Sequence, residues 1–140
     1  MNINRLLMAT LAGGITSFLA GYLVFGTLLM GFMTSNRGSS TGIDKIPPDF
    51  IPLILGNFFM ALLLAYIFER WAGINTFASG AKAGSVIFAL ESAGQNCLTF
   101  GTTNTLTTTA VVVNIIAITV IGAIVGGVIG LVLGKVGTKA

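Results

Sequence analysis

The sequence predicts an all-α fold: an integral membrane four-helix bundle packed through small residues at GxxxG spacing. Three observations carry that reading. Hydrophobic residues make up 54% of the chain and charged residues 8%, against roughly 25% charged in an ordinary soluble domain. Four segments dominated by apolar residues follow one another, each near the roughly 20 residues a bilayer-spanning helix needs. Glycines recur every four residues in the last segment, which holds them on one helical face. The 140 residues are read as a single transmembrane domain over 1–140.

The first span is expected over 4–33. Its basic start followed by an apolar run resembles a signal peptide, but the run is far longer than the roughly 7–15 residues of a signal core. An uncleaved first helix is therefore expected. Residues 34–48, TSNRGSSTGIDKIPP, form a polar loop. Its glycines and lysine do not make a phosphate-binding loop, because no Gly-Lys-Ser/Thr occurs and no strand precedes it. The second span is expected over 49–71, with Asp49 as N-cap and Pro52 in the first turn, where a missing N–H is harmless. Tyr66, Glu69, Arg70 and Trp71 mark its boundary with water.

The third span, 76–100, is the least apolar, with Lys82, Ser85, Glu91, Ser92, Gln95 and Asn96 in it. A surface amphipathic helix would look similar in isolation; its place between two strongly apolar neighbours favours a crossing. The fourth span is expected over 107–136. Read in water, its Val- and Ile-rich run resembles buried strands. Its length favours a helix, and an open strand in lipid would leave backbone groups unpaired.

Basic residues set the orientation. With four spans, Arg5, Arg70, Lys135 and Lys139 share one side, with Lys82 close to it, and Arg37 and Lys45 lie opposite. Both termini are expected in the cytoplasm.

The sharpest pattern is a glycine ladder, Gly122, Gly126, Gly130 and Gly134, with Gly127 beside it. Gly80 and Gly84 repeat the spacing in the third span, and Gly13, Ser17 and Gly21 in the first. Lipid supplies no hydrophobic drive for helices to associate, so faces that let backbones approach closely do that work. Two uses stand open: packing within this chain, or a face for another subunit.

A second pattern is polar. Glu91 sits near the middle of the third span, and a carboxylate at bilayer depth is costly and usually functional. We expect Glu91, Gln95, Asn96, Asn57 and Asn114 to form one hydrogen-bonded cluster inside the bundle. It would serve either as glue between helices or as an ion or proton site. Lys82, about 13 Å from Glu91 along the helix, is expected at the membrane surface, reaching towards Glu69.

Other functions are excluded or disfavoured. The seven Lys and Arg are scattered singly, so no basic stripe faces a row of phosphates and no nucleic-acid partner is expected. Histidine is absent, which removes the commonest general base and metal ligand. The single Cys97 forms no internal disulfide. We expect no enzyme, no metal site and no cofactor.

The stretches GYLVFG (residues 21–26) and TFASGAKAG (residues 76–84), with the long polar first loop, resemble a family of uncharacterised bacterial four-helix membrane proteins. The tryptophan frequent in that family's first-helix pattern is missing, and Tyr22 and Phe25 stand near its place. The resemblance implies four spans in the bacterial inner membrane and brings no active residues. The expected function is a non-enzymatic membrane subunit or scaffold packing through its glycine faces, by self-association or with other membrane subunits. The alternative is a small oligomeric transporter or channel using Glu91.

Overall fold

The structure, a computed structural model, describes residues 2–137. It is all-helical: α1 (Ile3–Leu23), α2 (Met30–Ser35), α3 (Phe50–Ile67), α4 (Phe77–Thr102) and α5 (Thr108–Gly137). Three stretches are long and apolar enough to cross a membrane: Ile3–Leu28, Phe50–Ala72 and Thr108–Val136. At 26 residues α4 is long enough, but its polar side chains keep it out of that group. Lys139, counted above for orientation, lies outside the described residues.

Local chemistry explains where the helices start. Asn2 caps α1 by accepting from Arg5 N, and Asp49 caps α3 by accepting from Ile51 N. Thr76 accepts from Ser79 N at the start of α4, and Thr107 accepts from Ala110 N at the start of α5. Each side-chain oxygen satisfies an amide that the first turn leaves without a helical partner.

Two of the apolar helices end in a widened, π-helical turn. The first span, expected as one helix over 4–33, is instead broken. After Leu23 the turn Val24–Leu28 carries a Leu29 N to Val24 O bond of 2.7 Å, and Leu29 leaves the helical region before α2. Thr27 donates its hydroxyl to the Leu23 carbonyl, a backbone partner that helps tolerate such an irregular turn. The second turn, Phe68–Ala72, closes α3 and ends at Gly73, whose φ of 60° is left-handed and suits glycine.

The helices alternate in direction. One end of the molecule carries the start of α1, the α3–α4 turn and the end of α5; we call it the terminal end. The other, the loop end, carries α2, the long loop and the α4–α5 turn. There residues 36–40 pair with residues 104–107 through backbone bonds such as Gly38 N to Thr105 O at 3.1 Å. Gly38 lies so close to the Asn104 carbonyl that no side chain fits.

α5 is the central helix, because two adjacent stripes face different neighbours. Ile121, Val125, Ile129 and Leu133 are buried in a core shared with Leu6 and Ala9 of α1 and Ala61, Leu64 and Ala65 of α3. One residue further round, Gly122, Gly126 and Gly130 lie against Gly80 and Gly84 of α4. A Cβ built on Gly126 would fall 2.8 Å from the Gly84 Cα, and one on Gly84 would fall 2.9 Å from the Gly126 Cα. These are backbone-to-backbone approaches that no side chain survives unmoved. Gly134 sits against the Asn75 carbonyl, and Gly127 holds the Phe77 ring. α4 packs chiefly on α5, and α1 packs on both α3 and α5.

In α1, Gly13 faces Ile129 and Ala61, and Gly14 faces the Phe58 ring. Gly21 departs from the expected ladder: a Cβ there would meet nothing within 4 Å. Past Ser17 the contact face of the first span continues through the half-buried Ala20, Val24 and Phe25, and Gly21 stands beside that line.

At the terminal end Arg5 binds across three helices. Its guanidinium pairs with Glu69 at 3.3 Å and its Nε donates to the Leu133 carbonyl at 2.7 Å. The expected approach of Lys82 to Glu69 is thus corrected: Arg5 occupies the Glu69 carboxylate, and Lys82 is exposed on α4. Arg37 pairs with Asp44 in the long loop.

Candidate functional site

Two hydrogen-bonded clasps and one exposed strip hold the polar residues singled out above, and the single five-residue cluster expected from sequence does not form. The buried stripe of α4 is Gly80, Gly84, Phe88, Ser92 and Asn96, four residues apart and therefore on one face. At its loop-end half, Asn96 Nδ2 donates to Asn114 Oδ1 of α5 at 3.0 Å, and Ser92 Oγ donates to the same oxygen at 3.4 Å. Asn96 Nδ2 also reaches the Ser92 carbonyl at 2.8 Å. This clasp takes over where the glycine contacts between α4 and α5 stop.

Asn57 belongs to a different interface. Ser17 of α1 donates to Asn57 Oδ1 at 2.5 Å, and Asn57 Nδ2 donates to the Leu53 carbonyl at 2.7 Å. Stagger keeps the two clasps apart. Ile129 of α5 lies over Gly13, and Asn114 is fifteen residues nearer the loop end, about 22 Å along the axis. Ser17 is one turn, about 6 Å, from Gly13. Asn57 and Asn114 therefore lie at depths differing by roughly 16 Å.

Glu91 and Gln95 are exposed, which corrects their expected burial. Each precedes a buried residue by one position, Ser92 and Asn96, and one position turns a helix by about 100°. α4 has its main neighbour on the Ser92 side, so Glu91 faces outwards. Among the described residues no side chain or backbone amide donates to Glu91. Gln95 reaches only Thr99 of its own helix, at 3.5 Å. Thr103 in turn donates to the Thr99 carbonyl at 2.8 Å. Glu91, Gln95, Thr99 and Thr103 thus form a polar strip from mid-helix to the loop end, at a spacing of four.

Beside that strip the surface of α4 is open. A Cβ on Gly94 or on Gly101 would meet nothing within 4 Å, unlike Gly80 and Gly84 on the α5 side. Leu98 between them is 68% exposed, and Cys97 is exposed as well.

Sequence reasoning missed the Arg5–Glu69–Leu133 junction and the role of Ser17 as a donor. The signal for Ser17 was present, since it stands in the small-residue stripe of α1. The Arg5 junction has no local signal, because its members come from three distant segments. No group of three or more Cys, Asp or Glu side chains capable of holding a metal comes together among the described residues. The arrangement offers one unpartnered carboxyl group, amide and hydroxyl groups beside it, and no nucleophile aligned with a base. Compared with protein-family models, with curated proteins and with solved structures, the chain matches none.

Proposed function

We propose that the chain is a non-enzymatic, four-pass subunit of the bacterial inner membrane, with both termini in the cytoplasm, that joins a larger membrane assembly through α4. The observation that carries this reading is the outward face of Glu91 and Gln95, polar groups halfway along a membrane helix with no partner from another element among the described residues. Polar side chains at such depth normally meet another helix or a water-filled cavity.

Several features support the membrane frame. Leu7, Leu11, Leu19, Ile51, Phe59, Val112, Ile116 and Val120 are exposed on α1, α3 and α5, a surface that suits lipid and not water. α4 runs beside α5 from the Asn75–Gly134 contact to the Asn96–Asn114 clasp. If α5 crosses the bilayer, α4 crosses with it. Arg5, Arg70 and Lys135 gather at the terminal end, which supports a cytoplasmic side for that end by the positive-inside rule.

In this reading the glycine faces hold the chain's own helices together, since Gly80, Gly84, Gly122, Gly126 and Gly130 already face one another. Assembly then falls to the remaining face of α4. Purification in mild detergent followed by native mass measurement tests the reading. The expected result is a defined species heavier than one chain. A bare monomer, with lipid alone, would contradict it.

A second reading, an oligomeric ion or proton channel, is favoured by the strip Glu91, Gln95, Thr99 and Thr103, which would line a path to the loop end. It requires a closed ring of identical chains in the same measurement. It also requires polar residues below Glu91, where Ile87 and Ala83 stand one and two turns away on the same side.

A further inference from the structure

The exposed side of α4 has the periodicity of a helix-binding seam. Glu91, Gly94, Leu98 and Gly101 are spaced three, four and three residues apart, and all four are exposed. Glu91 and Leu98, like Gly94 and Gly101, are seven residues apart, the heptad interval by which one helix follows another in a left-handed pair. It differs from the four-residue stripe that α4 gives to α5 on its other side. Gly94 and Gly101 leave the backbone open, and Gln95, Thr99 and Thr103 flank the seam with hydrogen-bonding groups.

The carboxyl group on the seam points to its occupant. Glu91 lies about 21 Å from the start of α4 and about 17 Å from its end, at about 1.5 Å per residue, and so near the middle of the bilayer. Among the described residues no basic side chain stands at that depth. Lys82 is nine residues nearer the terminal end. Arg5, Arg70 and Lys135 lie at that end, and Arg37 and Lys45 in the loop at the other. A second copy inserted in the same orientation keeps these depths, so a two-fold axis through the seam sets Glu91 against Glu91 and offers it no cation. A carboxylate in low dielectric is best compensated by an opposite charge with hydrogen bonds.

We propose that the seam Glu91–Gly94–Leu98–Gly101 receives a transmembrane helix of a different protein, one that carries a single Lys or Arg at mid-bilayer depth. The proposal rests on the membrane-subunit reading above and names its partner. The partner's basic side chain meets Glu91 and Gln95, and its loop-end half offers hydroxyl or amide groups to Thr99 and Thr103. Its backbone approaches over Gly94 and Gly101.

The test uses the full chain in phosphatidylcholine vesicles, with a fluorescent donor on Thr41→Cys in a Cys97→Ser background. The probes are synthetic poly-leucine transmembrane peptides carrying an acceptor, with Arg, Leu or Glu at the centre and otherwise identical. The Arg peptide is expected to associate at least tenfold more tightly than the Leu or Glu peptide. Glu91→Gln should remove that preference, and Gly94→Leu, placed where a Cβ meets nothing within 4 Å, should block approach. Circular dichroism then shows both variants folded. Equal binding of the Arg and Leu peptides, or an undiminished preference in Glu91→Gln, would overturn the proposal. So would Glu91-dependent energy transfer between copies of the chain itself. If the purified chain carries a second polypeptide but shows no preference for the Arg peptide, this proposal fails and the subunit reading stands. If the chain purifies as a monomer yet prefers the Arg peptide, the seam stands and the subunit reading fails.

Discussion

Glycine does different work at neighbouring positions of this protein, and space decides which. Gly126 faces backbone: a methyl group there would press on the Gly80 carbonyl and the Gly84 Cα. Gly126→Ala is expected to cost about 1–3 kcal/mol, as overpacking of a tight interface does. Gly21 faces open space, so Gly21→Ala should be neutral or stabilise by about 0.5–1 kcal/mol through helix propensity. Unfolding by titration with denaturing detergent measures both. The clasps behave separately. Asn114→Ala removes the acceptor shared by Asn96 and Ser92, and Ser17→Ala removes the donor to Asn57. Each should cost about 1 kcal/mol, the scale of interhelical hydrogen bonds in membranes. The roughly 16 Å between them predicts additivity within about 0.5 kcal/mol in the double variant; a larger coupling would mean the clasps communicate.

At the scale of elements, the tie between helices at the terminal end is electrostatic. Arg5 joins α1 to the last turn of α3 and to the α5 backbone, and the Glu69 side chain is only 7% exposed. Glu69→Leu leaves the Arg5 charge partly buried without its partner, and should cost about 1–3 kcal/mol. Arg5→Leu combined with Glu69→Leu should recover part of that loss in the same titration, since removing both charges strands neither.

The helical character and three membrane-length apolar helices were legible in the sequence, because long apolar runs and cap residues such as Asp49 act locally. The polar arrangement was not. Sequence places Glu91 and Ser92 at nearly the same depth, yet the 100° between them separates an exposed carboxyl group from a buried clasp. It places Asn57 and Asn114 in helices that both start at the loop end, but their depths depend on stagger, which is set by contacts such as Gly13 on Ile129. The break after Leu23 was hidden for another reason: VFGTL is as apolar as its surroundings, and a widened turn leaves no mark in composition.

At the scale of the whole molecule, α5 organises everything through two stripes one residue apart. The aliphatic one gathers α1 and α3, and the glycine one gathers α4. α4 is left with one committed side and one open side, and among the described residues the open side carries the only carboxyl group lying midway along a membrane-length helix. A subunit that assembles through this open side requires α4 to cross the membrane beside α5 despite its polar content. Cysteines introduced singly at Ala72 and at Thr103, in a Cys97→Ser background, bracket α4. They can be labelled with a membrane-impermeant maleimide in right-side-out and inverted vesicles. The account predicts that Thr103→Cys reacts only from outside and Ala72→Cys only from the cytoplasmic face. Labelling of both from one side would contradict it, leaving α4 on the surface and Glu91 in water.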